Sequence, residues 1–132
     1  MASSIDGMCD YELQDKNTVL VIYKLSPATL DIISRVNKIH LHKYFNESID
    51  ILSKYDNITE LDLSTSFNIL VNSWPPKLKK LDLGVSYNHP IDNLPEGLES
   101  LYIGSDFNKS IDNVNYLLLC TARRAFFLSS VS

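Results

Sequence analysis

Apolar residues return along this chain on a plan about twenty residues long. Phe45, Phe67, Tyr87 and Phe107 are each followed by asparagine, at Asn46, Asn68, Asn88 and Asn108. Counted back from each aromatic, apolar residues stand nine before (Val36, Ile58, Leu78, Leu98), six before (Ile39, Leu61, Leu81, Leu101) and four before (Leu41, Leu63, Leu83, Ile103). They stand again four after (Ile49, Val71, Ile91, Ile111) and seven after (Leu52, Trp74, Leu94, Val114). With the aromatic itself, six columns are apolar in every row, which a chain of 45% hydrophobic residues would very rarely reach by chance.

Residues six and four before the aromatic lie on one face of an extended strand, because strand side chains alternate. Such a short strand, bounded by turn residues, cannot close a core alone. Equivalent strands stacked about 4.8 Å apart form a parallel sheet, and the return segments fill the rest of the interior. Each buried side chain contributes roughly 1.5–3 kcal/mol before entropy is subtracted, so about three or more repeats are needed. The pattern predicts a solenoid of four coils over residues 36–114, with a parallel β-sheet on one face and irregular return segments.

Asparagine sits where the chain leaves the strand and bends, and a carboxamide both donates and accepts. The expectation is a buried, inward ladder of Asn46, Asn68, Asn88 and Asn108 that satisfies the turns; the plainer alternative is that asparagine favours turns. Two of these asparagines open N-x-S/T sequons, at Asn46-Glu47-Ser48 and Asn108-Lys109-Ser110. Burial would make both matches accidental, which favours a cytoplasmic protein. Asn57-Ile58-Thr59 is a third sequon, in a loop.

The signature L-x-x-L-x-L, then FN-x-x-I, then LP-x-x-L, best seen in "YNHPIDNLPEGLESLYIGSDFNKSI", resembles the FNIP repeat family. The resemblance covers about residues 36–114, with two strong repeats and two looser ones; "DILSKYDN" lacks the family's proline. It implies a leucine-rich-repeat-like fold and a protein-interaction module of the kind found in social amoebae and giant viruses, sometimes joined to an F-box or a kinase domain. It brings no catalytic residues and no cofactor. For a virus-encoded chain the compartment implied is the host cytoplasm.

Outside the repeats, residues 1–16 read as a flexible N-terminus and 17–35 as a cap of strand (Val19 to Tyr23) and short helix. Ser26 is suited to the N-cap and Pro27 to the first helical position. "LSPATLDII" resembles the opening of an F-box, with no room for a complete one before the repeats begin. Residues 115–132 read either as a C-terminal cap or as the remnant of a truncated array, since Thr121 and Arg123 fall where strand aliphatics belong. An uncapped last coil would leave an edge open to self-association.

Charge and chemistry narrow the function. A net charge of -4 argues against nucleic acid. The longest apolar run, "YLLLCTARRAFFL", is too short for a bilayer and is split by Arg123 and Arg124, so no membrane partner is expected. Cys9 and Cys120 form neither a disulfide framework nor a zinc motif. His40 and His42 have a strand spacing that can hold a metal, but solvated strand histidines are the better reading, and no cofactor is expected. Catalytic motifs are absent from the sequence, so the expectation is no enzyme.

Three rows should line the outer sheet face: Lys38, Glu60, Lys80, Ser100; then His40, Asp62, Asp82, Tyr102; then His42, Ser64, Gly84, Gly104. The middle row is the candidate protein-binding site. Asp62 and Asp82 would receive a basic side chain beside Tyr102, with Gly84 and Gly104 clearing space. Non-catalytic protein binding through this face is thus the expected function. The alternatives are a structural or self-associating protein and, by family analogy alone, a substrate adaptor for ubiquitin ligation.

Overall fold

The computed structural model describes residues 10–16 and 18–110. Its described residues form one six-stranded sheet whose spatial order is the chain order. The strands are β1 (Tyr11–Gln14), β2 (Val19–Ile22), β3 (Lys38–Leu41), β4 (Glu60–Asp62), β5 (Lys80–Asp82) and β6 (Ser100–Tyr102). A helix, α1 (Pro27–Ile33), joins β2 to β3, and a 3₁₀ helix, η1 (Asp50–Lys54), lies in the return before β4.

From β2 onward every pairing is parallel, and the register is the one the apolar columns require. Ile39 pairs with Leu61, Leu61 with Leu81, and Leu81 with Leu101. The six columns meet in a single core, where Leu61, Leu63, Phe67, Val71 and Trp74 represent one row. The rings of Phe67 and Tyr87 stack with centroids 6.3 Å apart, and Trp74 meets Tyr87 edge-on at 6.2 Å. Leu94 is only partly buried. Ile111, Val114 and the 115–132 segment, with the self-association edge expected there, lie outside the described residues, as do Cys9 and Cys120.

The N-terminal strand is itself a row of the array. Leu20 pairs with Ile39 and Ile22 with Leu41, so β2 presents the same inward pair as the repeats. Helix α1 then takes the place of an irregular return. Ser26 caps it, its Oγ accepting from the Thr29 N–H at 3.3 Å, and Pro27 opens the first turn. Its far end is held from the next repeat: Asn57 donates Nδ2 to the carbonyls of Ile33 (2.8 Å) and Val36 (2.6 Å).

One boundary differs from the sequence expectation. Part of the 1–16 segment, read as flexible, is ordered as β1, antiparallel to β2. Tyr11 and Leu13 alternate so that both pack on the core opposite Ile22 and Leu20. Asp15 and Lys16, which follow β1, both adopt the left-handed conformation, at φ 53° and 61°.

The longer first spacing, twenty-two residues from Phe45 to Phe67, also has a local cause. That return is wound into η1, whereas the next two close with proline: the Pro75 and Pro95 carbonyls accept from the Leu78 and Leu98 N–H groups, each at 3.3 Å. Where the proline is missing, the two extra residues make a helical turn instead.

The exits of β4 and β5 turn sharply. Ser64 adopts φ 69° and Gly84, one repeat on, φ 75°. A Cβ at Gly84 would collide with the Ser64 carbonyl, and one at Gly104 with the Gly84 carbonyl. The glycines therefore admit the backbone of the preceding repeat; the expectation that they clear space beside Tyr102 is corrected. Ser64 is a non-glycine residue in a left-handed conformation, which costs about 1 kcal/mol. Ser64→Gly is expected to raise stability by up to about 1 kcal/mol, measured by urea unfolding; an unchanged or lower midpoint would show that the hydroxyl or Cβ contributes more than the strain.

Candidate functional site on the outer sheet face

The alternation that buries Ile39, Leu61, Leu81 and Leu101 turns their neighbours outward. Register places Lys38, Glu60, Lys80 and Ser100 side by side, and likewise His40, Asp62, Asp82 and Tyr102. All four middle-row residues line one depression of about 360 Å³, floored by Leu61 and Leu81. The flanking charges pair across strands, with Lys80 Nζ 4.0 Å from Glu60 Oε2.

Both aspartates have a structural task as well. Asp62 Oδ1 accepts from the Ser64 N–H and Asp82 Oδ1 from the Gly84 N–H, each at 2.8 Å. These bonds close the left-handed turns at the strand exits and fix the carboxylate planes. The second oxygen of Asp62 lies 3.9 Å from His40 Nε2. The two aspartates stand in register on adjacent strands, where like charges repel.

His40 and His42 do not combine as ligands. His42 stacks on Tyr23 with ring centroids 4.2 Å apart, and its Nδ1 accepts from the Tyr44 N–H at 3.2 Å. Among the described residues no group of three or more His, Cys, Asp or Glu side chains is placed to hold a metal. Nor, among them, is any helix long and apolar enough to cross a membrane.

The asparagines are not buried, contrary to expectation. Asn46, Asn68 and Asn108 are exposed and Asn88 is half-buried. Each directly follows a buried aromatic, and neighbours in an extended chain point to opposite sides, so burying the ring turns the carboxamide outward. From there Asn68 Oδ1 accepts from the Asn88 N–H, and Asn88 Oδ1 from the Asn108 N–H, each at 2.8 Å. The burial that would have excluded glycans at Asn46 and Asn108 is absent. Of the three sequon asparagines, Asn57 is the one whose Nδ2 is committed to backbone carbonyls.

Two polar contacts between repeats were not foreseen from the sequence. Asp50 reaches across to the next return, its Oδ1 accepting from the N–H groups of Asn72 (2.7 Å) and Ser73 (3.3 Å) and its Oδ2 from Asn72 Nδ2 (3.1 Å). Partial burial pushes this carboxyl upward, but the bonds from Asn72, Ser73 and Ser48 outweigh it and hold it below its ordinary value. The other contact is made by Tyr87, whose hydroxyl accepts from the buried Val71 N–H at 3.2 Å. Burial, reinforced by the negative charge of Asp50, pushes the Tyr87 phenol up, against the opposing effect of the Val71 bond. The only sequence signal was a tyrosine in a column of phenylalanines.

No curated protein and no solved structure matches the chain. A family model does match, the FNIP Repeat, over residues 87–117. That span opens on Tyr87, runs through β6 and includes Phe107 and Asn108, two of the residues on which the resemblance was read. The chain thus carries an FNIP repeat over residues 87–117, within the stretch where its aromatic-asparagine periodicity indicated the resemblance.

Proposed function

We propose that this chain is a leucine-rich-repeat-like solenoid that works as a non-catalytic protein-binding module, and that its partner docks on the outer face of the sheet. The observation that carries this reading is the depression formed by the middle row. Its acidic lining, Glu60, Asp62 and Asp82, is set against one ammonium, Lys80, already paired with Glu60. A basic partner side chain placed there would lie between the two in-register aspartates and beside the ring of Tyr102. Attraction of that kind sets orientation and specificity in protein interfaces. Support also comes from the FNIP repeat over residues 87–117, a repeat module consistent with a protein-interaction role.

The turn bonds dictate the test. Asparagine keeps the Oδ1 acceptor that Ser64 and Gly84 require and removes only the charge, so Asp62→Asn/Asp82→Asn is preferable to charge reversal. Native and doubly substituted chains, shown equally folded by circular dichroism, are used to capture binding proteins, and one recovered partner is then titrated in purified form. We expect the substitution to weaken that partner by about tenfold or more. Equal affinity for both chains would overturn the reading.

A further inference from the structure

Along β3 from the acidic depression lies a second feature that the depression's own chemistry does not use. Just past the ends of β2 and β3, three rings lie side by side on the outer face. Tyr23 stacks on His42 at 4.2 Å with an interplanar angle of 21°, and His42 meets Tyr44 at 5.2 Å and 53°. Tyr44 is the most exposed large hydrophobic side chain among the described residues, 77% open to solvent. The shelf is fixed in place: the Tyr23 hydroxyl donates to Glu12 Oε1 at 3.0 Å, the His42 N–H to the Ile22 carbonyl at 2.9 Å, and the Tyr44 N–H to His42 Nδ1 at 3.2 Å. Rings held this way lose little freedom on meeting a ligand, which favours their use as anchors.

The shelf and the depression share β3. His40 lines the depression, and His42 is two residues further on, on the same face, about 6.6 Å along an extended chain. An extended partner segment has that same two-residue step. We infer that the partner is an extended segment carrying a long basic side chain and, two positions away, an aromatic ring. The first starts over His40 and reaches across the strands to Asp62 and Asp82, one and two strand spacings of about 4.8 Å away, and the second lies on Tyr44 and the stacked Tyr23–His42 pair. This rests on the proposed function and extends it, because it states which partner chemistry the face selects. Charge complementarity sets the basic position, since three carboxylates line the depression against one lysine. The shelf offers ring faces, and Lys43 Nζ lies 5.2 Å from the Tyr44 centroid, which disfavours a second cation there and favours a neutral ring.

The test uses the described protein labelled with ¹⁵N and four synthetic peptides in a glycine–serine background. One has arginine and tryptophan two positions apart, two replace either residue by glycine, and one replaces both. Dissociation constants come from amide shift changes. Tryptophan is expected to tighten binding of the arginine peptide by about threefold to tenfold, the range of one aromatic pair. Tyr44→Ala should abolish that gain and leave the preference for arginine; Asp62→Asn/Asp82→Asn should abolish the preference for arginine. No gain from tryptophan, or a gain that survives Tyr44→Ala, overturns the inference while the acidic reading stands. No preference for arginine in the native chain overturns the acidic reading, and this inference with it.

Discussion

A Gly84→Ala chain is expected to lose about 3 kcal/mol or more of stability, a large share of what a domain this size holds in reserve. Two costs combine. The backbone sits at φ 75°, where a Cβ costs about 1–2 kcal/mol. The new methyl is also driven into the Ser64 carbonyl, and that contact is with backbone, which cannot swing aside. Neighbouring positions separate the two terms. Ser64 shows that the left-handed conformation alone is tolerated. Gly104→Ala tests the collision, since its Cβ would meet the Gly84 carbonyl and the Val85 Cα. Gly97 has nothing within 4 Å of a built Cβ, so Gly97→Ala should stay within about 0.5 kcal/mol. Urea midpoints for the four variants should therefore fall in the order Gly84→Ala lowest, Gly104→Ala next, then Gly97→Ala, and Ser64→Gly highest. Gly84→Ala melting with the native chain would mean that the repeats are not packed so closely at the strand exits.

The same positions show what a sequence of this kind reveals. The strand register was legible because each row repeats an apolar pair at fixed distance from an aromatic; slipping one strand by a residue would expose Leu61 or Leu81 and bury aspartate. The outward rows followed from that register, and so the meeting of His40, Asp62, Asp82 and Tyr102 in one depression was predictable. The asparagine direction was not. Turn position alone does not tell whether a carboxamide faces in or out, and the deciding fact is the burial of the ring directly before it. The role of Gly84 and Gly104 was misread because it depends on a carbonyl in the preceding repeat. Strand β1 was missed because it belongs to no row: its alternating Tyr11 and Leu13 occur once, where periodicity offers no support. The stack of His42 on Tyr23 joins the cap to the first repeat, two segments read separately in the sequence.

Asp50 gives the second large effect, and it carries a pH signature. The carboxylate joins the first return to the second through two backbone N–H groups and one carboxamide, and bonds to an ionised acceptor are the stronger kind. Allowing for solvent at this half-buried position, Asp50→Ala should cost about 2 kcal/mol at neutral pH. The cost should then shrink in acid. Folding lowers the Asp50 pKa below its ordinary value of 3.8, so the ionised form is favoured in the folded chain. The stability it contributes is complete above the unfolded value and is lost as pH falls through the lower folded one. Native and Asp50→Ala chains should accordingly differ most at neutral pH and converge as pH falls below the lowered folded value. One junction further along the array, Asn93 Nδ2 donates to the Asn72 carbonyl, a neutral bond with no such dependence. Acid should therefore loosen the first junction before the second. Hydrogen exchange followed at neutral and acid pH would report this as faster exchange at the Asn72 and Ser73 amides in acid, with Asp50→Ala exchanging fast at both. A gap between the two chains that stayed constant from neutral to acid would show that Asp50 stabilises the junction by packing alone, without its charge.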